Sequence, residues 1–308
     1  MNIFLLPKGV VQRIDSICRN YLWDGSSDYM RVPMVSWDRV CCPKDEGGLG
    51  IRYSVTWNVA MVGKLVWWVY SKPNSLWVKW IHQVYLKGVS WQVYQPKLHL
   101  GGNWKDICRV KELLKVGYRD NVWLANVKGY EVGSGYEWLR KKEQKVGWTK
   151  LVWNSWCIPK HNFLNWLMLK ECLPVRDRLC RHVIIDEDVC CICMNVSETV
   201  KHLFRECSYV RLLLDKAAER LHIPRPSGNA LIWIGRRKWS RAKTMVCLFV
   251  FLAVHYNVWQ QRNRVRLEGV IARPDCIVEQ IIQMLKVRVW QTRLQLNTDE
   301  IGWYSQIV

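Results

Sequence analysis

The stretch Cys190-Cys191-Ile192-Cys193-Met194-Asn195-Val196-Ser197-Glu198-Thr199-Val200-Lys201-His202-Leu203-Phe204-Arg205-Glu206-Cys207 holds a Cys-x2-Cys pair, then eight residues, then a His-x4-Cys pair. Three thiolates and one imidazole at this spacing suit a tetrahedral Zn²⁺. A Cys-x2-Cys turn brings two sulfurs to one ion, and the returning His-x4-Cys segment supplies the other two donors. The ligand set read from the spacing is Cys190, Cys193, His202 and Cys207. Four protein ligands leave no position for water, so one structural Zn²⁺ is expected rather than a metal that activates a nucleophile. Cys191 lies inside the first pair and competes for the ion; Cys190 is assigned because it alone has the two-residue spacing to Cys193. The competing reading is a cysteine-rich core segment that holds no metal.

Outward from this stretch the pattern is helical. Upstream, Phe163, Trp166, Leu167 and Lys170 share a helix that ends ahead of Pro174, and Val175, Leu179 and His182 mark a short second helix carrying Arg176, Arg178 and Arg181. Downstream, Val210, Leu213, Leu214, Ala217 and Leu221 mark a helix with Ser208 as its expected cap, stopping before Pro224.

These residues carry a resemblance. Trp148-x4-Trp153-Asn154-x-Trp156-x-Ile158-Pro159-Lys160-His161-x-Phe163-x2-Trp166-Leu167, then Leu173-Pro174-x-Arg176-Asp177-Arg178-Leu179, then the Cys/His cluster with Glu198-Thr199-x2-His202-Leu203-Phe204, resemble the zinc-binding domain of plant non-LTR (LINE-type) retroelement reverse transcriptases. Phe4-Leu5-Leu6-Pro7-Lys8, Tyr21-Leu22-Trp23-Asp24-Gly25, Trp37, Pro43-Lys44-x2-Gly47-Gly48-Leu49-Gly50 and Asn58-x-Ala60-x3-Lys64 resemble the segment that follows the polymerase palm in those proteins. Gln260-Gln261-Arg262-Asn263-Arg264-x-Arg266 is similar to a basic ending of the plant elements. The resemblance implies a thumb or connection region at the start of the chain, in which Lys64 and Lys79 face the primer–template backbone or are simply solvated. It also implies a longer middle segment with a Gly-Asp-Gly-like turn, which this chain lacks.

Charge points the same way. Lys and Arg number 46 against 26 Asp and Glu, a formal +20, and so large an excess concentrates polyanions, RNA or DNA above all. Arg236-Arg237-Lys238-Trp239-Ser240-Arg241-Ala242-Lys243 sets five cations around one indole, a composition for phosphate contact with base stacking. Arg236, Arg237, Lys238 and Arg241, with Arg176 and Arg178, are the expected phosphate contacts, and Trp239 the expected stacking surface; the plainer reading is a solvated helix start. The 13 cysteines and the lack of a basic-then-apolar leader suggest a reducing compartment, nucleus or cytoplasm. Met245–Val254, the longest apolar run, falls short of the roughly 20 residues that span a bilayer, so no membrane segment is expected.

Catalytic groups are missing from the sequence. A polymerase palm needs a carboxylate pair for two metal ions, and no two aspartates are adjacent; Asp186-Glu187-Asp188 reads as a solvated loop. No carboxylate set for a ribonuclease H domain follows residue 223. Arg273-Pro274-Asp275 mimics an element of restriction-like endonucleases, although Glu279 and Lys286 stand seven apart on a helical stretch. The expected protein is mostly α, with a helical thumb-like region (1–87), an irregular Gly-broken connector (88–147), the zinc module (148–222) and a basic helical tail (223–308). Strands are expected at 121–124 and 130–132. The expected function is non-catalytic nucleic-acid binding, with an endonuclease remnant using Asp275 or a decayed, inactive fragment as alternatives.

Overall fold

The computed structural model describes residues 4–25, 33–71, 74–97, 101–119, 129–182, 185 and 187–308. It is helical, and among the described residues the only β pairing is an isolated antiparallel bridge between Val189 and Ser197. The expected strand at 121–124, the end of the helix before Pro73, and Asp186 lie outside the described residues. The chain divides into two compact units, Met1–Gln144 and Lys145–Val308.

In the first unit, α1 (Lys8–Asp24) starts where the Pro7 carbonyl accepts from Val10 and Val11. It stops at Gly25, whose φ of 71° lets its N–H return to Tyr21. The spacing of Val10, Ile14, Ile17, Cys18 and Tyr21 suggests an amphipathic helix with these residues on its apolar face, yet Val10, Ile17, Cys18 and Tyr21 are exposed, whereas Val11, Asp15 and Asn20 are buried. Asp15 faces inward because its carboxylate accepts from the Ser54 N–H at the start of α3 (Ser54–Ser71), a donor that has no partner within its own helix. Between them lie the single turn α2 (Trp37–Val40) and a 3₁₀ turn at Lys44–Glu46.

Helix α3 is the axis of this unit. The spacing of Trp57, Met61, Leu65 and Trp68 suggests one buried face, yet Trp68 is exposed and the helix buries Asn58, Ala60, Val62, Gly63, Leu65, Val66 and Val69. The face rotates because Gly63 admits Tyr130, whose hydroxyl donates to the Ala60 carbonyl at 2.6 Å. Ser75 caps α4 (Leu76–Ile81), which widens into a π turn over His82–Leu86. The 88–147 stretch is less irregular than its glycines suggest. It supplies α5 (Gly102–Arg119) and α6 (Val132–Leu139), both packed on α3, and Tyr130 and Glu131 precede a helix rather than forming a strand. Buried Lys111 of α5 holds the 91–94 turn by donating to the carbonyls of Trp91 and Tyr94.

The second unit contains α7 (Thr149–Val152), α8 (Pro159–Leu169), α9 (Arg176–Arg181), α10 (Ser208–Arg220), α11 (Ala230–Gly235), α12 (Arg241–Glu268), α13 (Pro274–Thr292) and α14 (Thr298–Ile307). Helix α12 is apolar on nearly every side from Val246 to Val254 because α8, α10, α11 and α13 pack around it. By length and composition α12 would also suit a membrane, but two thirds of its apolar window is buried within this unit. A polar thread crosses the packing: Asn165 donates to the carbonyls of His161 and Leu252 and accepts from His255 Nδ1 at 2.7 Å. The spacing of Ile277, Ile281, Leu285 and Val289 predicts a final amphipathic helix; this is α13, and α14 follows it. Asn297 and Glu300 form a capping box at the start of α14, and Trp303 donates to the Leu221 carbonyl at 2.8 Å.

Candidate metal centre

Two local devices bring the cysteines and histidine together. After Cys190 the chain turns at once: the Met194 N–H reaches the Cys190 carbonyl, the Cys190 N–H reaches the Val196 carbonyl, and Met194 takes a φ of 52°. At the other end Thr199 accepts from the His202 N–H, and residues 202–206 form one π turn closed by the Cys207 N–H on the His202 carbonyl. A π turn pairs residue i with i+5, so the His-x4-Cys spacing places both donors on one side of the coil.

The four donor atoms lie within 4.8 Å of one another, and Cys193 Sγ stands 3.3 Å from His202 Nε2. Tetrahedral zinc with its usual bond lengths sets sulfur–sulfur and sulfur–nitrogen edges of roughly 3.5 to 3.8 Å. The set therefore fits zinc with small adjustments. Cys190, His202 and Cys207 are buried and Cys193 is half-buried. Among the described residues no other group of three or more His, Cys, Asp or Glu side chains gathers in this way.

The electrostatics favour a thiolate at Cys207. The Cys207 thiol is held below its ordinary value, first by a hydrogen bond from Cys190 and then by the backbone N–H groups of Val210 and Tyr209 at the start of α10. Cys190 is pushed up by that same hydrogen bond and by burial. Cys207 is the N-cap of α10 and Ser208 its first helical residue, so the expected cap shifts by one position to the ligand itself.

Cys191 points elsewhere. Its thiol contacts Glu198 Oε2 at 3.4 Å and the Arg262 carbonyl at 3.6 Å, and burial raises its pKa to about 11. Glu198 is fully buried, and its other oxygen accepts from the Arg176 N–H at 3.0 Å and from Arg262 Nε and Nη2 at 3.0 and 2.8 Å. One carboxylate thus ties the cysteine loop to the start of α9 and to α12. The sequence reading takes Glu198 and Arg262 as family landmarks only; it misses their pairing, because nothing in a sequence links positions 64 residues apart.

The expected nucleic-acid residues separate into two groups. Arg236, Arg237, Lys238 and Arg241 are exposed around the turn from α11 into α12. Trp239 is half-buried, with its ring edge-on to Trp233 at 5.6 Å and the Lys243 ammonium over it at 5.3 Å, so part of its surface is already used. Arg176 donates to the Glu187 carbonyl and Arg178 to the Glu171 carbonyl. Asp275 opens α13 with Arg273 and Pro274 as its cap and first residue, and pairs with Lys216. In the first unit, Lys64 lies over Trp68 at 5.5 Å.

Residues 130–213 match the family described as zinc-binding in reverse transcriptase. Over 126 residues, 40% of this chain, the sequence is 31% identical to a protein of Arabidopsis thaliana named "Putative ribonuclease H protein". The chain spans 19% of that relative's length. Over 118 residues it is 25% identical to an uncharacterized mitochondrial protein of the same plant, covering 38% of this chain and 77% of that one. No solved structure matches the chain.

Proposed function

We propose that this chain, which carries the zinc-binding domain of reverse transcriptases and is related to plant retroelement proteins, is a non-catalytic nucleic-acid-binding part of such a machine. The observation that carries this reading is the convergence of Cys190, Cys193, His202 and Cys207 within the matched segment. Zinc, when bound by Cys190, Cys193, His202 and Cys207, would supply a cross-link between the loop and α10. The chain's own residues do the rest. The Cys207 thiol is held below its ordinary value by the hydrogen bond from Cys190 and by the amides that open α10, Glu198 anchors the loop to α9 and α12, and the cations around the α11–α12 turn attract phosphate. Thirteen cysteines used as metal ligands or packing residues suit a reducing interior, nucleus or cytoplasm.

The test joins metal to binding. Purified chain should hold one equivalent of zinc and bind labelled RNA or DNA with an affinity that falls steeply between 50 and 200 mM salt, on the order of 0.7 to 0.9 log unit per log unit of salt for each phosphate contact. Zinc-loaded, folded protein with no salt-sensitive binding would reject the nucleic-acid reading. Well-folded protein that holds no zinc would reject the metal assignment.

A further inference from the structure

We propose that the groove walled by α7 and the segment after it, the first turns of α12 and the last turns of α13 seats the phosphodiester backbone of an RNA or DNA strand; this rests on the nucleic-acid reading above and gives it a place. The groove is open, measures about 820 Å³ and lies wholly in the second unit. Three cations line it, Lys150, Arg241 and Arg288, and no carboxylate does.

The cations are held in two ways. Arg288 donates to the carbonyls of Trp156 and Ser155 at 2.6 and 3.0 Å, which fixes the guanidinium without cancelling its charge. Lys150 and Arg241 are exposed, and neither has a carboxylate partner among the described residues. Burying this lining against another protein surface would desolvate three uncompensated charges, whereas a polyanion releases its counterions on arrival. The floor suits a nucleotide as well. Trp156, itself buried, is pinned by its Nε1 on Thr292 Oγ1 at 2.8 Å, and the half-buried Leu151 and Met245 give the lining an apolar surface for sugar and base. The exposed Arg236, Arg237 and Lys238 lead directly into Arg241, so a strand leaving the groove meets further cations. Sequence reading reaches Arg241 but neither Lys150 nor Arg288, which stand 91 and 47 residues away from it.

Fluorescence anisotropy of the full chain with a labelled single strand of about 20 nucleotides, RNA and DNA in turn, tests the assignment. Lys150→Ala with Arg241→Ala should weaken binding at least about tenfold at low salt and flatten the salt dependence by roughly 1.4 log units per log unit, two contacts at about 0.7 each. Arg211→Ala with Arg266→Ala removes the same charge from exposed positions outside the groove and should change affinity less than about twofold, if charge placement rather than total charge decides. Equal losses in the two variants, no loss in the groove variant, or equal displacement by polyglutamate would each overturn the groove while leaving nucleic-acid binding standing. Absence of binding in the wild type would overturn both readings. Circular dichroism and zinc content unchanged in both variants separate lost contacts from lost fold.

Discussion

Arg262 sends both its Nε and Nη2 hydrogen bonds to one oxygen of Glu198, at 3.0 and 2.8 Å, with the arginine side chain 2% exposed and the glutamate fully buried. Removing one partner of such a pair strands a charge in a low-dielectric interior, which costs about 3 to 5 kcal/mol, whereas replacing both by apolar groups of similar volume is often close to neutral. Arg262→Met should therefore loosen the 188–207 loop severely. Glu198→Gln with Arg262→Met should recover part of the loss. Hydrogen exchange on peptides from this loop and from α12 reads the effect, and equal protection in Arg262→Met and wild type would contradict it.

The Cys/His cluster was legible because metal chemistry requires short spacing, so position in sequence nearly equals position in space. Helices were legible where a proline marked an end, as ahead of Pro174 and Pro224. Which face a helix buries was not. In α1 and α3 a polar residue faces inward to satisfy a neighbour's backbone, and that neighbour is invisible to periodicity. Two of the site's connections failed for the same reason: the Glu198–Arg262 pair and the Lys150–Arg241–Arg288 groove are assembled from distant segments.

Metal removal should be local in its effect. Four ligands hold 190–207 onto α10, so chelation should raise exchange and proteolysis in that segment and fray the start of α10. The first unit should keep its protection, since its core draws on Val62, Val66, Ile107 and Leu114 instead. The variants separate adjacent thiols: Cys190→Ser should lose zinc, and Cys191→Ser should keep it, because Cys191 contacts Glu198 and not the cluster. Zinc lost from Cys191→Ser and kept by Cys190→Ser would reverse the assignment.

Acid should weaken the second unit in a defined window. Burial, with Lys160 nearby, lowers the His161 pKa to about 4, and burial, with Arg205 nearby, does the same for His255. An exposed imidazole titrates near pH 6.5, so the unfolded chain takes up protons that the folded chain refuses. Stability is complete above about pH 6.5 and falls as pH drops toward 4, by at most about 3 kcal/mol per histidine. Carboxylates held low, such as Glu46, act only below about pH 4.5, outside most of this window. Thermal melts between pH 7.5 and 4.5 should show the decline, and His255→Asn should flatten it; a flat wild-type profile would show that the histidines are not held neutral.

The turn Pro43–Gly50 fastens the first unit, and one glycine in it has no substitute. A Cβ on Gly48 would overlap the Cys42 carbonyl oxygen, while Gly47 and Gly50 take φ values of 82° and 75°. That tight course lets Gly48, Leu49 and Gly50 donate to the carbonyls of Pro43, Val40 and Cys42. It also delivers buried Glu46 to Arg140, whose Nη1 and Nη2 reach the two carboxylate oxygens at 2.7 and 2.6 Å, and to the Glu143 N–H at 3.0 Å. Gly48→Ala must move backbone and loosen the Glu46–Arg140 clamp with it, so a loss of about 2 to 3 kcal/mol is expected. Gly9, in the first turn of α1, has nothing within 4 Å of the same added carbon. Gly9→Ala should be neutral or stabilising by up to about 1 kcal/mol, since it only restricts the unfolded chain. Urea unfolding followed through exchange in the 40–50 and 140–143 segments compares the two, and equal midpoints would mean that this turn opens without consequence.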